Sequence, residues 1–396
     1  MLHQHFKTPE VGGAIRSYYL ATALAQKGHQ VAVISAHNGK SISVKKIEGI
    51  DIIYLPIPYD NRFSFSARSL AFVRYVCRTI QVASKYKDYD VCYAISVPLT
   101  VGIIARWLKF WHRIPYVFEV GDLWPDAPIQ MGFIRSRLFQ RILYALEKTI
   151  YYHADSIVAL SESIRLEIEK KIKGKRIDVI PNMADCDFYF QEEKTPALEM
   201  KYQLTGKLVV SYMGALGVAN GLEYLLDCAE ACLQKELPVH FMICGDGAMA
   251  EELNRSAKQR QLNNITFAGF MNQVGIREVM NVTDAVFVCY KKVPILETGS
   301  PNKYFDGLAS GKMVIINFGG WIRSEIEMNG CGLYVDPNDP GNLAVKIYPF
   351  TADRELLKGF QAAARVLGEK KYSRRQLGES FSRIFSANLR QKTHIR

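Results

Sequence analysis

The alternation of short apolar segments with helical segments limits most strongly how this chain can fold. The first series consists of HQVAVISA, IDIIYLPI, DVCYAIS, PYVFEV and SIVALS, separated by helical patterns. The second series consists of KLVVSYMGAL, VHFMICGDG, ITFAGF, AVFVCYK, MVIINFG and CGLYVD. Such alternation is typical of parallel sheets covered by helices on both faces. The chain is therefore predicted to be an α/β protein with two doubly wound, Rossmann-like halves.

The interruption between the two series indicates where the domains divide. Pro181 and Asn182 break the rhythm, so residues 1–182 are predicted to form one domain and residues 183–372 a second. A last helical pattern occupies residues 373–396. Doubly wound sheets bind ligands at the carboxyl ends of their strands. Motifs that directly follow a strand are therefore the candidate binding residues.

The beginning of the chain departs from this plan. Only MLHQHF precedes the glycine turn at Gly12 and Gly13, where a doubly wound domain has a whole first strand. A central strand that lacked its first half would leave backbone groups unpaired. Either the first strand is short or the natural start lies upstream, and the sequence leaves both open.

Composition excludes several classes of protein. The eight cysteines are scattered without a CxxC pair or a histidine cluster, which is typical of reduced core thiols and not of a disulfide framework or a zinc site. The start has no apolar signal-like region, and no apolar run reaches the length that spans a bilayer. We therefore expect neither a disulfide framework, nor a zinc site, nor an integral membrane segment.

The net charge of +11 is concentrated in the first half of the chain. Residues 1–182 contain 25 Lys and Arg against 15 Asp and Glu, whereas the remainder contains 25 against 24. A basic half favours an acidic partner, such as an anionic membrane surface or a phosphorylated substrate. Lysines that only keep the surface soluble remain an alternative. A nucleic-acid partner is not expected, because no recognition helix or RNA-binding motif is present.

Two glycine-rich segments follow strands of the second series. MGALGVANGLEYLL places Gly214 and Gly217 in a tight turn before a helix, where backbone N–H groups and the helix dipole favour a diphosphate. ICGDGAMAEEL places Gly245 and Gly247 in a G-x-G-x-x-A pattern, which by itself indicates a dinucleotide cofactor. The acidic residue expected after the next strand is absent, which argues against a nicotinamide cofactor. A tight turn without a ligand stays open for the first segment.

The segment GSPNKYFDGLASGK carries the most informative side chains. It ends in Gly-Lys, but a methionine follows where a P-loop needs Ser or Thr, so the ATPase interpretation fails. A helix that begins at Ser300 or Pro301 would place Asn302 and Lys303 in its first turn, where a phosphate would lie. Asp306 follows one turn later on about the same face. Its carboxylate could accept hydrogen bonds from a ribose diol.

These motifs together resemble glycosyltransferase family 4, the retaining enzymes of the GT-B fold. The resemblance covers almost the whole chain and rests on PEVGG, FEVGDLWPDAP, VIPNMADCDFY, MGALGVANGL, GDG and SPNKYFDGLASGK. DLWP together with SPNKYFDGLASGK is similar to bacterial enzymes of O-antigen and capsule synthesis, including N-acetyl amino-sugar transferases of the L-fucosamine type. The resemblance implies two facing domains with a cleft between them, and a last helix that crosses back to the first domain.

The resemblance also implies roles for individual residues. Lys303, Asp122 and Glu297 are the expected catalytic residues, and Gly12 and Gly13 form the loop beneath the diphosphate and the acceptor. The expected ligands of the nucleotide sugar are Gly214, Gly217, Gly245, Gly247, Phe270, Met271, Ser300, Asn302 and Asp306. Phe270 and Met271 match the loop that holds the base, and Asp306 matches the second acidic residue of the family's E-x7-E motif.

The sequence departs from the family pattern at several of these positions. The first acidic residue of the E-x7-E motif should lie at Thr298, and Glu297 is one residue away. The histidine that usually precedes Asp122 is Gly121. The basic residues of the glycine loop align with Ala215 and Asn220. The charge of a diphosphate would then rest on Lys303, on backbone amides and on a further basic residue.

The resemblance implies a retaining transfer of a sugar, of the N-acetylhexosamine type, from a nucleotide donor that we expect to be UDP-linked. It also implies that no metal and no other cofactor is needed, because the nucleotide sugar is a substrate. The acceptor would be a polyprenyl-diphosphate-linked saccharide used for lipopolysaccharide, O-antigen or capsule, at the cytoplasmic face of the plasma membrane. Two alternatives stay open: a UDP-sugar 2-epimerase or hydrolase on the same fold, and a degenerate transferase that only binds partners.

A basic and aromatic helix suggests how the protein could meet a membrane. LKFWHR and its neighbours place Trp107, Phe110 and Trp111 among Arg106, Lys109 and Arg113. That mixture suits an interfacial helix on an anionic bilayer. An ordinary helix packed on the sheet is the alternative.

Overall fold

The computed structural model describes residues 1–13, 15–60 and 63–393, and the side chains of all of these except Phe65 and residues 386–393. The strands of the first domain are β1 (Val31–His37), β2 (Ser43–Ile47), β3 (Ile50–Pro56), β4 (Cys92–Ile95), β5 (Tyr116–Val120), β6 (Ser156–Ala159) and β7 (Ile177–Val179). Its helices are α1 (Arg16–Gln26), α2 (Phe65–Ala83), α3 (Val101–His112), α4 (Asp126–Gln130), α5 (Arg137–His153) and α6 (Glu162–Lys171).

The first sheet has a three-stranded part of order β2-β3-β1 and a four-stranded part of order β4-β5-β6-β7. Leu2 joins them, because it pairs in parallel with Ile34 of β1 and with Ala94 of β4. Its N–H donates to the carbonyl of Tyr93 at 2.7 Å, and its carbonyl accepts from Ile95 at 3.0 Å. The short first segment is therefore paired on both sides, and the unpaired backbone that its length suggested does not occur.

The second domain is preceded by helix α7 (Pro196–Lys201). Its strands are β8 (Leu208–Met213), β9 (Val239–Cys244), β10 (Ile265–Gly269), β11 (Ala285–Val288), β12 (Met313–Ile316) and β13 (Gly332–Tyr334). Its helices, and the last helix of the chain, are α8 (Glu223–Gln234), α9 (Ala250–Gln259), α10 (Gln273–Val282), α11 (Asn302–Ala309), α12 (Trp321–Met328), α13 (Gly341–Ala352), α14 (Arg354–Lys371) and α15 (Arg374–Thr393).

The second sheet is six-stranded and wholly parallel, with the order β10-β9-β8-β11-β12-β13. Every residue of β8 and β9 is buried, as expected for strands that helices cover on both faces. The strand order reverses between β8 and β11, where Ala285 pairs with Val210 and Val286 with Ser211. Ligands of open α/β sheets bind at such a switch point, outside the carboxyl ends of the strands. The predicted α/β fold class is confirmed.

Two groups of contacts hold the first domain, one to the last helix and one to the segment that leads into the second domain. The last helix, α15, packs on the first domain, where the rings of Phe381 and Phe385 lie 4.9 and 5.6 Å from the ring of Tyr93. At the start of α1, the buried guanidinium of Arg16 forms an ion pair of 3.0 Å with Glu119 and donates to the carbonyl of Ile180 at 2.7 Å. These contacts fix the first domain to the segment that leads into the second.

None of the helices within the described residues combines the length and the apolar character needed to cross a bilayer.

Candidate functional site

Lys303 lies at the switch point of the second sheet. It is the second residue of α11, and its ammonium group lies 4.9 Å from the ring centroid of Tyr212 on β8 and 5.9 Å from that of Tyr290, just after β11. One ring therefore comes from a strand at which the strand order reverses, and the other comes from the segment that follows the second such strand. This is the position where a doubly wound sheet receives its ligand.

The Lys303 ammonium is a cation without a permanent counter-ion. Burial lowers its pKa to about 8, while the neighbouring Cys289 and Asp306 act in the opposite direction. Among the described residues it forms no ion pair and no hydrogen bond. Since a desolvated cation is costly unless it is paired, the position is suited to an anion that arrives with a ligand.

The glycine turn after β8 lies against Lys303. A Cβ atom on Gly214 would lie 3.2 Å from Cε of Lys303, and one on Gly245 would lie only 1.8 Å from the carbonyl oxygen of Gly214. A Cβ on Gly247 would likewise lie 2.5 Å from the carbonyl oxygen of Leu216. The two predicted glycine loops therefore pack backbone against backbone. This close approach leaves no room for a side chain at Gly245 or Gly247. Gly217 is less constrained, with its nearest neighbour 3.5 Å away.

The sequence predicted that this turn leads directly into a helix, but in the structure it does not. A 3₁₀ turn, Val218–Asn220, comes first, and α8 begins at Glu223, which places an acidic side chain in its first turn. The first turn of α11 contains no acidic residue, and no side chain caps it. Because the first N–H groups of a helix have no intrahelical partner, α11 is the better anion-binding helix of the two.

The start of α11 differs by one or two residues from the sequence prediction. The helix begins at Asn302, and Pro301 is its extended N-cap residue. Ser300 is buried, and its hydroxyl accepts from the N–H of Asn182 at 3.2 Å, while the Asn182 side-chain amide donates to the Ser300 carbonyl. Ser300 thus ties α11 to the linker between the domains. Asn302 is exposed.

Asp306 lies one turn further along α11. Burial, followed by the charge of Asp185, raises its pKa to about 7, and Lys303 opposes this rise. Asp185 is itself buried, and it accepts a hydrogen bond of 2.5 Å from the hydroxyl of Tyr19. Its ion pair with Arg374 measures 3.3 Å. Two carboxyl groups from the linker and from α11 therefore face each other beside Lys303.

Asp122 approaches from the first domain, two residues after the end of β5. Its side chain is open to solvent inside the cleft, yet the surrounding protein raises its pKa. Burial raises the pKa of Tyr290, and the charge of Asp122 raises it further. Asp122 of the first domain therefore lies close enough to Tyr290 of the second domain for its charge to act on that side chain.

Glu297 lies in the 3₁₀ turn Pro294–Thr298 and is turned toward the β12–α12 connection. A Cβ atom on Gly319 would lie 3.0 Å from its carboxylate oxygen. It lines an open pocket of about 500 Å³ together with Leu166 and Lys170 of α6 and with Lys173, which follows that helix. Within the described part of the chain, Glu297 contacts neither Lys303 nor Asp306. Its catalytic role stays a prediction.

The expected base-binding residues follow β10. The Phe270 side chain is 73% exposed, and Met271 is half-buried. The preceding residue, Gly269, accepts a hydrogen bond of 2.8 Å from the N–H of Gly245. Phe270 is therefore placed beside the two packed glycine loops, at the same sheet edge as Lys303.

The first-domain glycine turn reaches toward the second domain. Gly12 and Gly13 have positive φ angles of 73° and 93°, which favour glycine. A Cβ atom on Gly12 would lie 4.0 Å from the backbone nitrogen of Gln273, the first residue of α10. A Cβ on Gly13 would lie 3.2 Å from the ammonium of Lys7. A cation therefore lies beside this turn.

Sequence reasoning missed three groups in the site: Tyr212, Tyr290 and Asp185. The two tyrosines could have been found, because Tyr212 is the last residue but one of β8 and Tyr290 closely follows β11. Asp185 lies in the linker, and no local pattern connects it with Asp306. The second lysine of GSPNKYFDGLASGK, Lys312, is buried elsewhere and donates to the carbonyl of Asn281 at 3.5 Å. This agrees with rejecting the P-loop.

Acidic, histidine and cysteine side chains do not converge on a metal site in the described ranges, where no group of three such residues is placed to hold an ion.

Comparison with protein families assigns both halves of the chain. Residues 11–183 match the glycosyl transferase 4-like domain, and residues 197–367 match the glycosyl transferases group 1. Among curated relatives, the alpha-D-kanosaminyltransferase of Streptomyces kanamyceticus is 21% identical over 63% of this chain and 65% of its own length. The O-antigen chain mannosyltransferase C of Escherichia coli is 26% identical over 37% of this chain and 39% of its own length. The chain thus matches less than two thirds of these relatives' length.

Solved structures show the same architecture over almost the whole chain. Sucrose-phosphate synthase from Thermosynechococcus elongatus superposes with a TM-score of 0.78 at 16% identity, and the match covers 97% of this chain and 94% of that one. HepE from Anabaena, in complex with UDP and glucose, superposes with a TM-score of 0.70 at 19% identity, covering 97% and 98%. At this identity the similarity establishes the GT-B fold.

Proposed function

We propose, from the premise that this chain is a two-domain glycosyltransferase of the GT-B fold, that it transfers a sugar from a nucleotide diphosphate donor during the synthesis of a surface polysaccharide. The observation that carries the proposal is the unpaired Lys303 ammonium at the switch point of the second sheet. It lies beside a glycine turn and at an uncapped helix start, where a diphosphate can bind.

The chemistry requires departure of the nucleotide diphosphate from the sugar. Negative charge then grows on the leaving phosphate, and donors fixed in advance stabilise that charge without reorganisation. Lys303 and the first N–H groups of α11 supply such donors, and they would replace a metal ion. With a pKa of about 8, Lys303 carries its charge at neutral pH.

We propose that the donor carries uracil as its base and a sugar of the N-acetylhexosamine type. UDP is supported by the similar HepE structure from Anabaena, which is a complex with UDP and glucose, and the exposed Phe270 offers a face on which a base can stack. The carboxylate of Asp306 would accept hydrogen bonds from the ribose diol. Retention of configuration is part of the proposal and rests on the family resemblance, with attack from the same face as the leaving group.

The experiment that tests this function is a thermal-shift screen of nucleotides and sugar nucleotides, followed by calorimetry with UDP. A ligand that binds only the folded state raises its stability, so the nucleotide that shifts the midpoint identifies the base. Lys303→Ala and Asp306→Ala should each weaken UDP binding at least about tenfold. Lys292→Ala is the matched control, because this exposed lysine bonds to Asn338 instead. Equal UDP affinity in all four proteins would contradict the proposal.

A UDP-sugar 2-epimerase or hydrolase on the same fold would give the same binding results. Incubation with UDP-N-acetylglucosamine without an acceptor separates the two, because NMR would show a new sugar epimer or free sugar within the time that transfer takes. A degenerate, non-catalytic protein would bind the nucleotide and release no UDP with any acceptor.

The proposed acceptor is a polyprenyl-diphosphate-linked saccharide, which would place the protein on the inner face of the plasma membrane. Phe110 and Trp111 of α3 are 75% and 65% exposed. They lie at the end of α3 that precedes β5, and therefore at the amino edge of the sheet. The cleft lies at the carboxyl edge, so this pair is badly placed to bring a lipid-linked acceptor to Lys303.

The first half of α5 is better placed. This helix begins after the carboxyl end of β5, and none of residues 137–146 is buried. Leu138 and Ile142, one turn apart, are 70% and 54% exposed. Arg137 and Arg141 are exposed beside them and form no ion pair with any residue that the structure describes. An apolar stripe with unpaired arginines matches an anionic lipid surface.

Liposome flotation distinguishes the two surfaces. Vesicles with anionic lipid should bind the wild type at low salt and release it as salt screens the charges. The double variant Leu138→Ser and Ile142→Ser should lose binding, whereas Phe110→Ser and Trp111→Ser should retain it. Loss only in the second pair would return the membrane contact to α3, and no binding at low salt would favour a soluble acceptor.

A further inference from the structure

The glycine turn after β8 offers few side-chain hydrogen-bond donors of its own to a departing phosphate. Its positions Ala215 and Asn220 carry no charge, and the Asn220 side chain already donates to the carbonyl of Ala215 at 2.9 Å. The hydroxyl of Tyr212 donates to the same carbonyl at 2.7 Å. Lys303 brings its ammonium to the start of this turn, where a Cβ atom on Gly214 would lie 3.6 Å from it, whereas Lys291 lies with its stem against Gly221 at the other end.

Tyr290 offers a donor at the same place, and its backbone is held rigidly. Its N–H donates to the side-chain oxygen of Asn317 at 2.9 Å, and the Asn317 amide donates back to the Tyr290 carbonyl at 3.0 Å. Asn317 is 3% exposed, so water does not compete for this pair. The ring of Tyr290 packs on Phe318 with the centroids 5.0 Å apart. The direction of the phenol is therefore set before any ligand binds.

The hydroxyl of Tyr290 points to the start of α11. A Cβ atom on Gly299 would lie 4.0 Å from this hydroxyl, and the ring lies 5.9 Å from the Lys303 ammonium. Burial raises the pKa of the Tyr290 phenol, and the charge of Asp122 in the first domain raises it further. The phenol therefore keeps its proton. Its hydroxyl donates to no group in the described portion of the chain.

We infer that the Tyr290 hydroxyl donates a hydrogen bond to the β-phosphate of the nucleotide diphosphate, as a second donor beside Lys303. This inference rests on the proposed function and adds a residue to its site. The phenol keeps its proton throughout, and the bond that breaks is the one between the sugar carbon and the phosphate oxygen. The new hydrogen bond strengthens as charge collects on that phosphate, so it favours departure.

The competing explanation is that Tyr290 only fills space between Phe318 and Lys303. Tyr290→Phe separates the two, because it removes the hydroxyl and keeps the ring and the backbone clamp. A phosphate contact predicts selective loss of ligands that carry a β-phosphate. A packing role predicts a variant that behaves like the wild type.

The experiment is calorimetric titration of UDP and of UMP into the wild type, Tyr290→Phe and Tyr116→Phe. Tyr290→Phe should weaken UDP binding 10- to 100-fold, the range for a hydrogen bond to a charged group, and leave UMP affinity within about twofold. Tyr116→Phe removes a buried hydroxyl at the amino edge of β5, where it donates to Ile150, and should bind both ligands as the wild type does.

Three results would overturn the inference. UDP affinity unchanged in Tyr290→Phe removes the hydroxyl from the site. Equal weakening of UDP and UMP indicates a general disturbance instead of a β-phosphate contact. A wild type that binds neither UDP nor UMP overturns the proposed donor together with this inference. If Lys303→Ala loses UDP affinity as expected while Tyr290→Phe keeps it, only the role of Tyr290 is overturned.

Discussion

Replacing Asp306 by asparagine should make the protein more stable at pH 8 while it weakens nucleotide binding. The carboxyl group is crowded by protein and by Asp185, which together raise its pKa from 3.8 to about 7. The folded state therefore holds a proton between these values that the unfolded state releases. Stability is lost as the pH rises from about 4 to about 7, and the whole loss is present at pH 8.

The magnitude follows from the size of this shift. A rise of roughly three pKa units corresponds to about 4 kcal/mol at most, at 1.36 kcal/mol for each unit. Asp306 is partly open to the cleft, and solvent screening reduces the cost to roughly 1–2 kcal/mol. Asparagine has nearly the same shape and no charge, so Asp306→Asn should recover that amount at pH 8 and almost none at pH 4.5.

Thermal unfolding at both pH values tests this reasoning, since such a gain corresponds to a few degrees in the midpoint. Asp187→Asn is the matched control: Asp187 is exposed on the same linker segment and is paired with Arg374. UDP binding by calorimetry should fall in Asp306→Asn under the same conditions. A variant that is less stable than the wild type at pH 8, or equally stabilised at both pH values, would refute the assignment of a strained carboxylate.

Four further expectations concern the cleft and its support. Lys303→Ala should lower kcat by roughly 10²-fold or more, because it removes a donor to the leaving phosphate. The UDP affinity of the wild type should decline above pH 8 as Lys303 loses its proton. Calorimetry that gives the same UDP affinity below and above pH 8 would contradict this second expectation. Gly245→Ala should not fold normally, because its Cβ would lie 1.8 Å from the Gly214 carbonyl oxygen, and circular dichroism with native-like melting would disprove the close approach. Arg16→Met should cost about 3–5 kcal/mol, since it leaves Glu119 buried without its partner, as measured by denaturant unfolding.

The parts of this protein that depend on local pattern could be predicted before its structure was known. The strands and helices follow from apolar periodicity, and the two series with their interruption at Pro181 follow from the spacing of those segments. The same holds for the α11 motif. Lys303 and Asp306 could be placed on one face of one helix, because three residues along a helix return to nearly the same side.

Which distant residues meet depends on long-range strand pairing. Strands β8 and β11 are neighbours although β9 and β10 come between them in the chain, and this order brings both Tyr212 and Tyr290 near Lys303. Parallel pairing of strands far apart in sequence leaves no local trace, because each strand is buried on both faces and looks alike. The approach of Asp185 to Asp306, and the pairing of Leu2 on both sides, are long-range contacts of the same kind.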